Sequence, residues 1–131
     1  MWRQLYLVVW LAFLQIVIIL LPQIGSYLVD VHVLLGVVIL GLAHYNNMQL
    51  KRTEAPNRLK RIAKATAALA TFQIILGLIL YASVRLMVNV PFVDVITFLH
   101  LLTALAIITQ ASSVATAYDM WEERELNPAK A

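Results

Sequence analysis

Phe92-Val93-Asp94-Val95-Ile96-Thr97-Phe98-Leu99-His100-Leu101-Leu102-Thr103-Ala104-Leu105-Ala106 decides how this chain folds. The run follows Pro91 and stays largely apolar to about Tyr118. About 20 apolar residues cross the hydrocarbon core of a bilayer as a helix. This stretch is too long and too apolar for a helix of a soluble domain. It predicts a membrane span over 92–118 with His100 inside it. An ionisable side chain within a span is costly and is commonly paired, so it marks a functional site by default.

Working outward, three more apolar runs predict spans at about 5–21, 29–45 and 62–86. The fold class that follows is an all-α membrane protein, a four-transmembrane-helix up-down bundle, with residues 1–131 as a single integral membrane domain. The composition agrees: 62% of residues are hydrophobic and 13% charged, where soluble domains carry about 25% charged residues. There is no cysteine. That excludes disulfides, thiolate metal sites, iron–sulfur clusters and covalent c-type heme attachment.

The first run carries Trp2, Tyr6 and Trp10 at positions suited to an interfacial aromatic belt, with Arg3 before it. It reads as a retained helix and not a cleaved leader, because Gln23-Ile24-Gly25-Ser26 is a poor cleavage site. Gln15 lies mid-span and is expected to make an interhelical hydrogen bond. Pro22 to Asp30 reads as a short turn between antiparallel neighbours.

Asn46 to Lys64 is the main polar stretch between spans. It holds Lys51, Arg52, Arg58, Lys60, Arg61 and Lys64 against one acid, Glu54. Basic connections stay in the cytoplasm. Both termini are then cytoplasmic, and the connections at 22–30 and 86–92 lie outside. Nine of the ten Lys and Arg residues fall inside, with Arg85 the exception. The net charge of +3 therefore speaks to topology, with membrane lipid and no nucleic acid as the expected surroundings. The third span is alanine-rich at its start (Ala63, Ala65, Ala67, Ala68, Ala70), which favours close helix contact. In the fourth, Thr109, Gln110, Ser112, Ser113 and Thr116 are expected to face other helices. Asp119 to Ala131 reads as a polar tail.

A weak internal repeat implies two helical hairpins. Phe13-Leu14-Gln15-Ile16 resembles Thr71-Phe72-Gln73-Ile74, and Val29-Asp30-Val31 matches Val93-Asp94-Val95. Aligned on that tripeptide, His100 falls four residues beyond the position matching His32, about one helical turn deeper on the same face.

Spans two and four run parallel in this topology, which puts His32 and His100 in the same outer half of the membrane. A heme iron takes axial imidazoles from opposite sides, and facing helices of a bundle can supply them. Heme b is the cofactor that best suits two histidines among so many apolar residues. Zinc or copper would want further ligands, and no carboxylate or thiol stands at suitable spacing. Arg85 at the outer interface is a candidate partner for the propionates. Gln73 is a candidate to orient an imidazole through its second nitrogen. Gly36, one turn after His32, leaves room for a flat cofactor or for another helix. The alternative for the pair is an interfacial His32 and a His100 that only hydrogen-bonds within the bundle. His44 is twelve residues after His32, about 18 Å along the helix. It cannot share the same iron and reads as an interfacial histidine.

From the basic stretch onward the chain resembles the heme A synthase family. The resemblance rests on residues 59–106: the alanine- and leucine-rich helix with Gln73 and Leu76-Gly77, the short connection with Pro91, and His100-Leu101-Leu102 followed by Ala104. His32-Val33-Leu34-Leu35-Gly36 is similar to the family's other histidine helix. The resemblance implies an enzyme of eight helices in two related halves. One half holds a permanent heme b, and the other binds heme O and oxidises a methyl group to the formyl group of heme A. His32 and His100 match the heme ligands. The chain has the length of one half, which implies a homo-oligomer or association with oxidase assembly components, in a membrane expected to be a prokaryotic cell membrane. It lacks the family's cysteine pair. Val29 stands where the family has its catalytic glutamate, and Asp30, on another face, is the acidic candidate left nearby. The rival expectations are a non-catalytic heme b subunit that carries electrons in a respiratory complex, and a structural membrane subunit without cofactor.

Overall fold

The computed structural model describes residues 1–21 and 25–126. Four helices account for nearly all of them: α1 (Trp2–Leu20), α2 (Ser26–Lys51), α3 (Asn57–Arg85) and α4 (Val93–Leu126). Each is long and apolar enough to cross a membrane. Chain neighbours pack against each other and α4 returns to α1, so the helices occupy the four corners of a bundle. The diagonal pairs are α1 with α3 and α2 with α4. The fold is the all-α up-down bundle that the apolar runs predict.

The helices outrun those apolar runs at one end. α2 continues to Lys51, α3 begins at Asn57, and α4 continues to Leu126. The polar stretch at 46–64 is therefore mostly helical, with only Arg52–Pro56 connecting α2 to α3. Packing explains the extension. Asn46 and Asn47 are buried, and Asn46 Nδ2 donates to the Gln4 carbonyl of α1 at 3.2 Å. Leu50 is 0% exposed and belongs to a cluster with Leu5, Ala55, Leu59, Ala63, Val114, Ala115 and Tyr118. Two further buried clusters, around Val8, Ala12, Ile39 and Ala111 and around Ala43, Ala67, Ala70 and Ile107, carry the core to the middle of the bundle. Ala63, Ala67 and Ala70 are buried where α3 meets its neighbours; Ala65 and Ala68 are exposed.

The hydroxyl-rich half of α4 departs from expectation. Thr109, Ser113 and Thr116 are exposed. Thr109 Oγ1 and Ser113 Oγ donate to the carbonyls of Leu105 and Thr109, one turn back. Such back-bonding satisfies a hydroxyl without a second helix. Gln110 does reach inward, accepting from Thr66 Oγ1 at 3.4 Å.

At the opposite end the core thins out. Beyond Gln15, Ile39, Ala70 and Thr103, Leu76 is the one buried hydrophobic residue among those described. From Val93 to Leu102, only Ile96 and His100 are not exposed. The connection from α3 to α4 holds Met87 and Phe92 at positive φ, 53° and 57°. Bulky residues there cost on the order of 1–2 kcal/mol each. The predicted turn over 22–30 lies partly outside the described residues; Ser26 to Asp30 is already helical.

Candidate functional site

The site is a line of four side chains, one from each helix. It begins on α1, where Gln15 Nε2 donates to the His32 carbonyl of α2 at 2.8 Å. This is the interhelical bond expected of a mid-span glutamine. Gly36 permits it. A Cβ there would stand 3.3 Å from Gln15 Nε2 and 3.4 Å from Ile74 Cδ1, so the glycine makes room for side chains of neighbouring helices.

His32 projects across the bundle toward α4. No Cα of α2 comes within 8 Å of one in α4, yet the rings of His32 and His100 lie with centroids 6.2 Å apart and planes inclined at 60°. The imidazoles thus meet across the diagonal of the bundle. The line ends on α3, where the Gln73 amide meets His100 Nε2 at 3.3 Å. One turn along α3, Gly77 lies under the ring: a Cβ there would stand 3.0 Å from His100 Cε1. In the sequence the one signal for Gly77 is its spacing of one turn from Gln73.

Four atoms of this line are buried without a hydrogen-bond partner: Gln15 Oε1, His32 Nδ1, Gln73 Oε1 and His100 Nδ1. An unsatisfied buried polar atom costs about 1–3 kcal/mol; four of the six such atoms among the described residues lie in this line, and the other two are Asn46 Oδ1 and Asn47 Oδ1 at the basic end. With the Gln73 amide nitrogen donating to Nε2, the ring proton of His100 sits on Nδ1. A half-turn of that amide reverses the arrangement: Nε2–H donates to Oε1, and Nδ1 presents a lone pair.

The donor set constrains the ligand. No group of three or more His, Cys, Asp or Glu suited to a metal ion occurs among the described residues. A bare ion would be left short of ligands by two imidazoles, whereas a porphyrin brings four nitrogens of its own. Metal–imidazole bonds of about 2 Å on both sides of one ion put ring centres roughly 6 Å apart. The observed separation fits that requirement.

Two other candidates lie together, away from the line. Asp30 Oδ1 accepts from Tyr81 Oη at 3.2 Å, and Asp30 Oδ2 pairs with Arg85. The acidic candidate and the propionate candidate thus engage one another between α2 and α3. The two residues are 55 positions apart, and no local pattern announces the contact. His44 stands apart as well, exposed, with Nε2 at 2.9 Å from Thr71 Oγ1 on α3. The Thr71 hydroxyl donates to the Ala67 carbonyl, so it receives the proton of His44 Nε2. The hairpin repeat has a structural counterpart: in each hairpin the repeated glutamine of the first helix reaches the histidine residue of the second.

No protein-family model, curated protein or solved structure matches this chain.

Proposed function

We propose that this chain is a membrane heme protein in which His32 and His100 are the two axial ligands of one heme b. The observation that carries this reading is the diagonal pair of imidazoles with centroids 6.2 Å apart. They are flanked by unpartnered buried polar atoms on all four helices' shared line. The basic connection at 52–56 and its flanks belong in the cytoplasm by the positive-inside rule. Both termini then face the cytoplasm of a prokaryotic cell, and the heme lies in the outer half of the membrane.

A heme held there would supply one-electron redox chemistry, with a quinol-type donor and a respiratory acceptor as the partners of that chemistry. The chain's own residues set the conditions. His32 and His100 would hold the group from α2 and α4. Gln73 holds the His100 ring through its second nitrogen, which fixes ring orientation and raises ligand basicity. Gly77 leaves room for that ring. Electron carriage is the activity this geometry supports best, because the Asp30 carboxylate is engaged by Tyr81 and Arg85 away from the imidazole pair.

The second reading is a compact heme A synthase-like protein that oxidises a heme methyl group to formyl. The resemblance over residues 59–106, with His32 and His100 at ligand positions, favours it. On that reading a second copy of the chain or an oxidase assembly component completes the site. Incubation with heme O, followed by mass analysis of extracted pigment, separates the two. Unmodified heme with rapid reduction by quinol supports the carrier. Hydroxylated or formyl heme supports the synthase.

A further inference from the structure

A groove between α3 and α4 near the basic end is lined by Arg58, Arg61, Ile62, Ala65, Gln110 and Ser113. Its composition is unusual for the surface of an apolar helix pair. Two guanidinium groups enter it from one face of α3, and neither is ion-paired among the described residues. The first turn of α3 carries no acidic residue and no capping side chain, so the positive end of the helix dipole is unopposed there. Gln110, whose amide meets Thr66 Oγ1 at 3.4 Å, adds a polar group to the lining.

Away from the arginines the groove becomes neutral. On α3 the exposed residues at 61, 65, 68 and 72 follow one face, and they run Arg, Ala, Ala, Phe. On α4 an exposed stripe runs from Ser113 through Thr109 to Leu105. Cationic donors at the interface are thus continuous with small, then apolar, side chains toward mid-membrane. That is the chemistry of an amphiphile with an anionic head.

We propose that this groove binds an anionic phospholipid, its headgroup phosphate held by Arg58 and Arg61 and an acyl chain lying along the alanines of α3. The site is independent of the heme reading. It differs from general attraction between a basic surface and anionic lipid because it needs two particular arginines and the groove beside them.

The test titrates the detergent-purified full chain with phosphatidylglycerol, phosphatidylcholine and inorganic phosphate, reading bound lipid by native mass spectrometry. Three variants are compared with wild type: Arg58→Gln with Arg61→Gln, Lys51→Gln with Lys64→Gln, and Ala65→Leu. The first and third lower the apparent affinity for phosphatidylglycerol by about tenfold or more, and the lysine pair by less than about threefold. Ala65→Leu keeps every charge, so it decides the matter alone if the arginine variant does not fold. Equal losses in the two charge pairs with Ala65→Leu unchanged would overturn the site in favour of diffuse attraction. Phosphatidylcholine binding as tightly as phosphatidylglycerol, or inorganic phosphate competing at equal strength, would overturn the anionic lipid as its occupant.

Discussion

The two ends of this bundle solve the same packing problem differently. At the basic end one buried cluster extends past the apolar runs to hold Leu50, Leu59 and Tyr118 in one core, and two more carry that core to the middle of the bundle. At the histidine end the helices are as apolar but leave their centre to polar atoms: two imidazoles, two amides and few buried hydrophobic neighbours. Apolar content alone therefore does not make a core in this chain. The basic end buries most of the hydrophobic core. The histidine end brings His32 and His100 together across the bundle, with ring centroids 6.2 Å apart.

The sharpest way to break this comparison is to truncate one leucine at each end. Leu50→Ala removes a fully buried side chain and costs about 2–5 kcal/mol. Leu102→Ala, in the exposed stretch before Thr103, stays within about 0.5 kcal/mol. Reversible unfolding in mixed micelles measures both. Similar losses would mean the two ends are equally packed.

Glycine substitutions sharpen the contrast next. At Gly77 a methyl group meets the His100 ring at 3.0 Å; Gly77→Ala should cost about 1–3 kcal/mol through overpacking and lower heme retention. At Gly41 a Cβ meets nothing within 4 Å, so Gly41→Ala should stabilise the helix by about 0.5–1 kcal/mol. Melting temperature and heme content of the two proteins, side by side, check this. Gly77→Ala with full heme content and unchanged stability would show that the ring does not depend on that space.

The smallest effect concerns Gln73. Its contact with His100 is long, at 3.3 Å, so Gln73→Leu should weaken heme binding by about tenfold, the low end for partners of a metal ligand. Heme transfer to an apo-heme acceptor measures it. An unchanged transfer rate would remove Gln73 from the site.

Much of this was readable before the structure, and the reasons are physical. Apolar runs of spanning length predict helices because lipid leaves the backbone few alternatives. His32 and His100 stood out because imidazoles are expensive in that setting. The ends of the helices were not readable in this way. Asn46 and Asn47 look like a polar connection until α1 is placed beside them. Thr109 and Ser113 look inward-facing until their own backbone is seen to accept their protons. The Asp30–Arg85 pair and the link from Gln15 to the His32 carbonyl both join distant positions, and only the bundle brings them together.

Ligation of heme by His32 and His100 would be visible in the optical spectrum of the purified protein. Wild type should bind heme and show a low-spin spectrum, while His32→Ala and His100→Ala should each lose heme or become high-spin. A colourless wild-type protein under heme-replete expression, or variants that keep the wild-type spectrum, would contradict the account.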